Sequence, residues 1–365
     1  MFRTLMSSIA AFLLVTALYA EDGDPAPVPP KKEGSARFET HPVADMQLVP
    51  KIRKKLEPLH FPIGKPVAGD WLYSNREKGQ TFKQYLAMAP VLPAKTRYVI
   101  YIQPLGKFDE DQRRLLDKTC EYVGIFFSLP VKVLDCKDLD PPCDCRRKNP
   151  SCGNEQVLTA YIMEKVLRSA MPQDAFAYIG ITTIDLWPGQ DRDFVFGQAS
   201  LRERVGIFSI YRYGNPSGNE AEFRNCMLRS FKVSTHELGH MFTMKHCISF
   251  KCNMGGRSSM DEIDRNPSYL CPECVLKISY ATGTPVPDLY RRLAEFCRDN
   301  GLEDEFKFYN RSLDALGEDP VPEKNQPAPP AEDSPKISPP EEKTKDPEGN
   351  NDRPDDGKVE NDDKQ

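Results

Sequence analysis

From about position 98 onward, apolar residues fall alternately into short β-branched runs and into stretches of helical spacing, which predicts a layered α/β fold. Residues 98–102 form an apolar run closed by Pro104 and Gly106, and residues 110–126 follow with helical periodicity. Residues 131–134 predict a second strand, 155–171 a helix, and 175–184 a third strand. Residues 194–201 and 205–213 predict two further strands that close the sheet. Next, Leu228, Phe231, Leu238 and Phe242 recur at helical spacing, so a helix completes the layer. No repeat of fixed period is present.

The two ends read differently. Arg3, the apolar stretch from Leu5 to Leu18, and the small residues Ala17 and Ala20 predict a secretory signal peptide over residues 1–20 and hence an extracytoplasmic protein, secreted or periplasmic. Ser7 and Ser8 interrupt that stretch, which falls short of the roughly 20 residues a bilayer span needs. No membrane span is therefore expected after cleavage. Residues 21–36 are crowded with Pro, Lys, Asp and Glu and predict a disordered linker. Residues 37–94 read as an N-terminal extension of a catalytic region at 95–311, and residues 312–365 as a disordered, acidic, Pro-rich tail whose partner, if it has one, is unspecified. The net charge of −5 belongs to that tail: from Leu316 onward there are 15 acidic and 7 basic residues, a balance of −8 that leaves +3 elsewhere. No basic nucleic-acid footprint remains.

The chemistry sits on the last predicted helix. The segment HELGHMFTMKH, from His236 to His246, contains H-E-x-x-H, which puts His236 and His240 on one helical face a turn apart. Two imidazoles so placed can share one tetrahedral zinc, and Glu237 can reach the fourth ligand position, where water sits. His246 supplies the third ligand if the helix breaks after His240, which is the long zinc pattern of the metzincins. Three of the five histidines in the chain fall on this pattern. Directly after it, Cys247, Cys252, Cys271 and Cys274 form a C-x4-C pair followed by a C-x2-C pair, which fits a closed structural zinc site better than two disulfides.

The run H-E-x-x-H-x5-H-C-x4-C-N-M with the later C-x2-C resembles the archaemetzincins, metzincin-like zinc peptidases. The resemblance extends upstream through YVIYIQPLG, IGITTIDLWPG and FVFGQASL, and downstream to about Cys297. It implies an α/β (α+β-like) metzincin-type zincin with a mixed twisted sheet, a backing helix, an active-site helix and a small zinc-stabilised C-terminal subdomain. It further implies two Zn2+ per chain, one catalytic and one structural, and a peptide or protein substrate hydrolysed by a zinc-activated water with Glu237 as general base. Met254 becomes the methionine of the turn beneath the catalytic zinc, a packing role that spacing alone does not assign.

One position departs from the metzincin pattern. Thr243 stands where a glycine normally lets the chain turn in a left-handed conformation toward the third ligand. A β-branched residue there costs on the order of 1–2 kcal/mol, so either the surroundings over-determine a strained backbone or the turn takes another path. A relaxed site would suit the alternative function, a non-catalytic zinc-stabilised binding protein. Among the remaining cysteines, Cys136, Cys143, Cys145 and Cys152 form a local cluster that predicts two disulfides, whereas Cys120 and Cys226 read as buried thiols.

Overall fold

The computed structural model describes residues 48–189 and 192–324. The expected signal peptide and linker lie outside the described residues, as does the chain beyond Lys324.

Three short helices open the described chain: α1 (Leu48–Leu56), α2 (Trp71–Ser74) and α3 (Phe82–Ala87). Strand β1 (Val99–Leu105), helix α4 (Glu110–Phe127) and strand β2 (Val131–Val133) follow as the first β-α-β unit. Strands β3 (Arg146–Lys148) and β4 (Glu155–Leu158) lead into α5 (Thr159–Tyr161), which continues as a wider π turn through Leu167. Then come β5 (Ala175–Thr182), β6 (Asp185–Trp187), β7 (Gly197–Ala199), β8 (Val205–Ser209) and the long helix α6 (Glu220–Met241). Four helices close the fold: α7 (Met260–Arg265), α8 (Pro272–Thr282), α9 (Val286–Asp299) and α10 (Glu303–Leu316).

The main sheet has the order β2-β1-β5-β8-β7, parallel throughout except for β7, which pairs antiparallel to β8 at the edge. This is the mixed sheet expected of the fold class. Every residue of β1, β5 and β8 is buried, which explains why they read as continuous apolar runs rather than alternating ones. Their side chains still alternate by face. Ile100 and Ile102 enter the larger core with α4 and α6, while Val99, Tyr101 and Leu105 enter a smaller core with Ile162, Val166 and Leu167. Tyr122 of α4 stacks on Phe231 of α6 at 4.2 Å between ring centroids, joining the backing helix to the helix that carries the histidines. The C-terminal helices and the four buried cysteines at 247, 252, 271 and 274 share the larger core, so the C-terminal part is continuous with the sheet.

Three expectations are corrected. Residues 155–158 are strand rather than the start of a helix: β4 pairs with β3 and β6 in a second, three-stranded sheet. Tertiary partners override local spacing there, because the buried Gln156 amide donates to Asp185 Oδ2 at 2.8 Å and its oxygen accepts from Arg147 Nε. The tail does not begin at 312. Helix α10 runs to Leu316 because Leu313 completes its buried face, and Val321 is itself buried, with its N–H donated to Asn310 Oδ1. The four cysteines at 136, 143, 145 and 152 are free thiols rather than two disulfides; Cys136 Sγ contacts the Gly106 carbonyl and Cys152 Sγ the Asn154 side chain.

Candidate metal centre

Helix α6 starts at a capping box in which Asn219 accepts from the N–H of Glu222 and Glu222 reaches back, with Glu220 and Glu222 adding negative charge to the first turn. It ends just after the second histidine. Phe242 is the C-cap, Thr243 N–H donates to His240 O (2.8 Å) and Met244 N–H to Gly239 O (3.2 Å), which is a Schellman turn. Thr243 takes the left-handed position at φ +67°. The turn thus follows the path expected for glycine, with threonine in its place. Around it, Thr243 Oγ1 accepts from Val91 N–H (2.9 Å) and donates to Leu201 O (3.2 Å), and the Thr243 carbonyl accepts from Gln80 Nε2 (3.0 Å). Buried contacts on both sides over-determine the strained backbone.

The turn sends His246 back over the helix. His236, His240 and His246 come together with ring centroids 4.7–5.2 Å apart, and Nε2 of His236 lies 3.1 Å from Nε2 of His240. Each Nδ1 faces an acceptor: the Asn253 carbonyl for His236 (2.8 Å), the Met244 carbonyl for His240 (2.8 Å), and the Glu77 carboxylate for His246 (2.8 Å). A carbonyl can only accept, so Nδ1 of His236 and of His240 carries the proton and leaves Nε2 with a free lone pair. Burial holds the proton affinity of His236 well below the ordinary histidine range and lowers that of His240 to about 4, with the neighbouring imidazoles adding to both. Neutral rings are what metal ligation needs. A tetrahedral zinc with Zn–N bonds of about 2.0–2.1 Å sets nitrogens roughly 3.3 Å apart, so the donor set fits zinc.

Glu237 is buried beside these rings. Burial pushes its carboxyl up to about 8, a rise that the positive charge of Arg257 partly offsets. The edge strand makes room for it: a Cβ on Gly197 of β7 would lie 2.7 Å from Glu237 Cγ and Oε1. Met254 is buried under the histidine helix, and a Cβ on Gly239 would lie 2.5 Å from its sulfur, so that glycine admits the close approach. The histidines and Glu237 line a cleft of about 950 Å³ whose walls include Trp71, Phe194, Gln198 and Arg257.

Cys247, Cys252, Cys271 and Cys274 are all buried, with their sulfurs within 4.8 Å of one another and 3.6 Å between Cys247 and Cys271. Hydrogen bonds from its three neighbours push the Cys247 thiol down, and those same contacts push Cys271 and Cys274 up. Backbone N–H groups of Met254 and Cys271 point at Cys252 Sγ (3.4 and 3.2 Å). Four buried thiols that cannot all ionise without a counter-charge suit a dication, and a tetrahedron with Zn–S bonds of about 2.3 Å has edges of roughly 3.8 Å.

Reasoning from sequence missed Glu77, Asn253, Arg257 and Gly197. Asn253 and Arg257 flank Met254 and hold each other, Arg257 Nη2 donating to the Asn253 carbonyl (2.9 Å) and side-chain oxygen (2.8 Å). Glu77 is 169 residues from His246, and no spacing rule links them.

The profile of Peptidase family M54 matches residues 127–280. The chain is similar to Archaemetzincin-2 of Rattus norvegicus, 31% identical over 297 residues that span 72% of this chain and 82% of that protein. It is also similar to Archaemetzincin of Thermococcus kodakarensis, 38% identical over 188 residues, 49% of this chain and 95% of that one. The crystal structure of archaemetzincin from Archaeoglobus fulgidus complexed with malonate matches at 25% identity and a TM-score of 0.39, over 49% of this chain and 99% of that one.

Proposed function

The chain belongs to the archaemetzincins, the zinc metallopeptidases of family M54, and on that footing we propose that His236, His240 and His246 hold its catalytic zinc, with Glu237 as the general base of peptide-bond hydrolysis. What carries this reading is the convergence of three imidazoles beside a buried carboxyl in one open cleft. Zinc, when bound, supplies Lewis-acid chemistry: it polarises the scissile carbonyl and acidifies the attacking water. Glu237 takes the proton from that water on its carboxylate and hands it to the departing amine nitrogen. Strand β7, at the sheet edge, lines the cleft through Gly197, Gln198 and Ala199, which supports binding of an extended peptide by strand addition. The four cysteines hold a second, structural zinc.

The alternative, a zinc-stabilised binding protein, drew on a relaxed turn at Thr243. The formed Schellman turn and the retained, enclosed Glu237 support catalysis instead. Location outside the cytoplasm is part of the proposal and rests on residues 1–20; amino-terminal sequencing of protein from the growth medium should find a start after Ala20, and full-length protein confined to the cytoplasm would contradict it. No helix among the described residues is long and apolar enough to cross a membrane.

Digestion of a diverse peptide library by zinc-loaded protein, with Glu237→Gln as comparator, tests the central reading. Cleavage that vanishes in the comparator supports it, and the cut positions separate internal cleavage from amino-terminal trimming. Equal cleavage by both proteins would remove Glu237 from the reaction.

A further inference from the structure

Of the three histidines, His246 is the one its own element cannot fix, because it lies beyond the end of α6 in a loop. A set of contacts that steadies it comes from residues 71–80, outside the stretch that the family profile matches. Both carboxylate oxygens of Glu77 lie within hydrogen-bond reach of His246 Nδ1, at 2.8 and 3.0 Å, and Oε1 also accepts from Trp71 Nε1 at 2.9 Å. The Trp71 ring meets His246 edge-on at 5.2 Å. Gln80 grips the loop from both sides of Met244, donating to Thr243 O and accepting from Lys245 N–H at 3.2 Å. Gln80 is held in turn by the buried Lys277, whose ammonium donates to its carbonyl and side-chain oxygens.

The three ligands are therefore not equivalent. His236 and His240 donate to neutral backbone carbonyls, while His246 faces a carboxylate. An anion at that position fixes the tautomer, orients the ring and raises the basicity of the ligating nitrogen, and such partners matter to metal affinity nearly as much as the ligands. Glu77 is suited to be that anion. Both of its oxygens face His246 Nδ1, and the Trp71 N–H holds Oε1 in place.

We propose that Glu77 is a positioning residue of the three-histidine zinc site, so that the segment from Trp71 to Gln80 completes the metal centre. This rests on the zinc assignment above. The test is zinc affinity of the full chain by competition with a chromophoric chelator, together with the d–d absorption of cobalt(II) loaded into the three-histidine site. Glu77→Ala should weaken that site about 10- to 100-fold while the four-cysteine site keeps its metal. Glu77→Gln keeps an acceptor without the charge, should fall in between, and should shift the cobalt bands, which a merely structural contact would not; being isosteric, it carries the test even where the alanine variant fails to fold. Wild-type affinity and an unchanged cobalt spectrum in Glu77→Gln would overturn the proposal. A wild-type protein that takes up metal only at its cysteines would instead sink the proposed function, independently of Glu77.

Discussion

Threonine in a glycine position should be a net gain here, and the two ways of removing it should rank in a fixed order. At φ +67° a residue with a Cβ costs on the order of 1–2 kcal/mol relative to glycine. Against that stand two buried hydrogen bonds of Oγ1, from Val91 N–H and to Leu201 O, each with a net contribution of about 1 kcal/mol. Thr243→Gly relieves the strain but loses both bonds, strands the Val91 N–H at a cost of about 1–3 kcal/mol, and loosens the unfolded chain by a further ~0.5–1 kcal/mol. The balance is a loss of about 1.5–5 kcal/mol. Thr243→Ala loses the same bonds and keeps the strain, so it should fall about 1 kcal/mol below the glycine variant. Urea denaturation of zinc-loaded protein, read as midpoints at constant slope, gives the order wild type, then glycine, then alanine. A glycine variant more stable than wild type would show that the hydroxyl contacts do not offset the backbone, and the reasoning would fail at that step.

Three further outcomes rest on the same geometry. Gly197→Ala places a methyl 2.7 Å from the Glu237 carboxyl and should cut turnover about 100-fold by misplacing it, with metal content unchanged; turnover within twofold of wild type would disprove the tight contact. Cys274→Ser should halve the zinc content measured by atomic emission and sharply lower the melting temperature, and retention of both ions would remove that cysteine from the ligand set. Burial lowers the proton affinity of Lys232 to about 8, so between pH 8 and 10.5 the unfolded chain binds more protons than the folded one, and stability rises with pH by up to about 3 kcal/mol across that window. In Lys232→Met that part of the rise should disappear from the difference between the two stability curves; parallel curves would exclude Lys232 as its source.

What could be read from the sequence divides along physical lines. Strands β1, β5 and β8 were legible because burial on both faces leaves an unbroken apolar run, α4 because burial on one face leaves a helical stripe, and α6 because its large apolar residues keep helical spacing even where residues 230–239 are buried on every side. The helix boundary at His240 was legible too, since the third ligand has to come from beyond it. Strand β4 was not, because what makes residues 155–158 extended is the fit of Gln156 between Asp185 and Arg147, a contact no local pattern encodes. Glu77 escaped for the same reason. A ligand histidine advertises itself by spacing, whereas the carboxylate that steadies it can come from anywhere the chain passes. Residues 312–316 were lost in the acidity of the neighbouring tail, although Leu313 and Leu316 continue the apolar face of α10.

Three consecutive residues tie the three-histidine and four-cysteine clusters to each other. Cys252 is one of the four clustered thiols, the Asn253 carbonyl accepts the Nδ1–H hydrogen bond of His236, and Met254 packs under Gly239 while its own carbonyl accepts from Cys247 N–H at 2.7 Å. Cys247 in turn comes directly after His246. A metal held among the cysteines would therefore fix the backbone on both sides of the histidines: the partner of His236 through Asn253, and the position of His246 through Cys247. Residues Trp71 to Gln80 hold that same loop from the opposite side. With the loop pinned at both ends, its turn no longer depends on the conformational freedom of glycine, and a threonine that adds two hydrogen bonds can stand there without moving the third ligand.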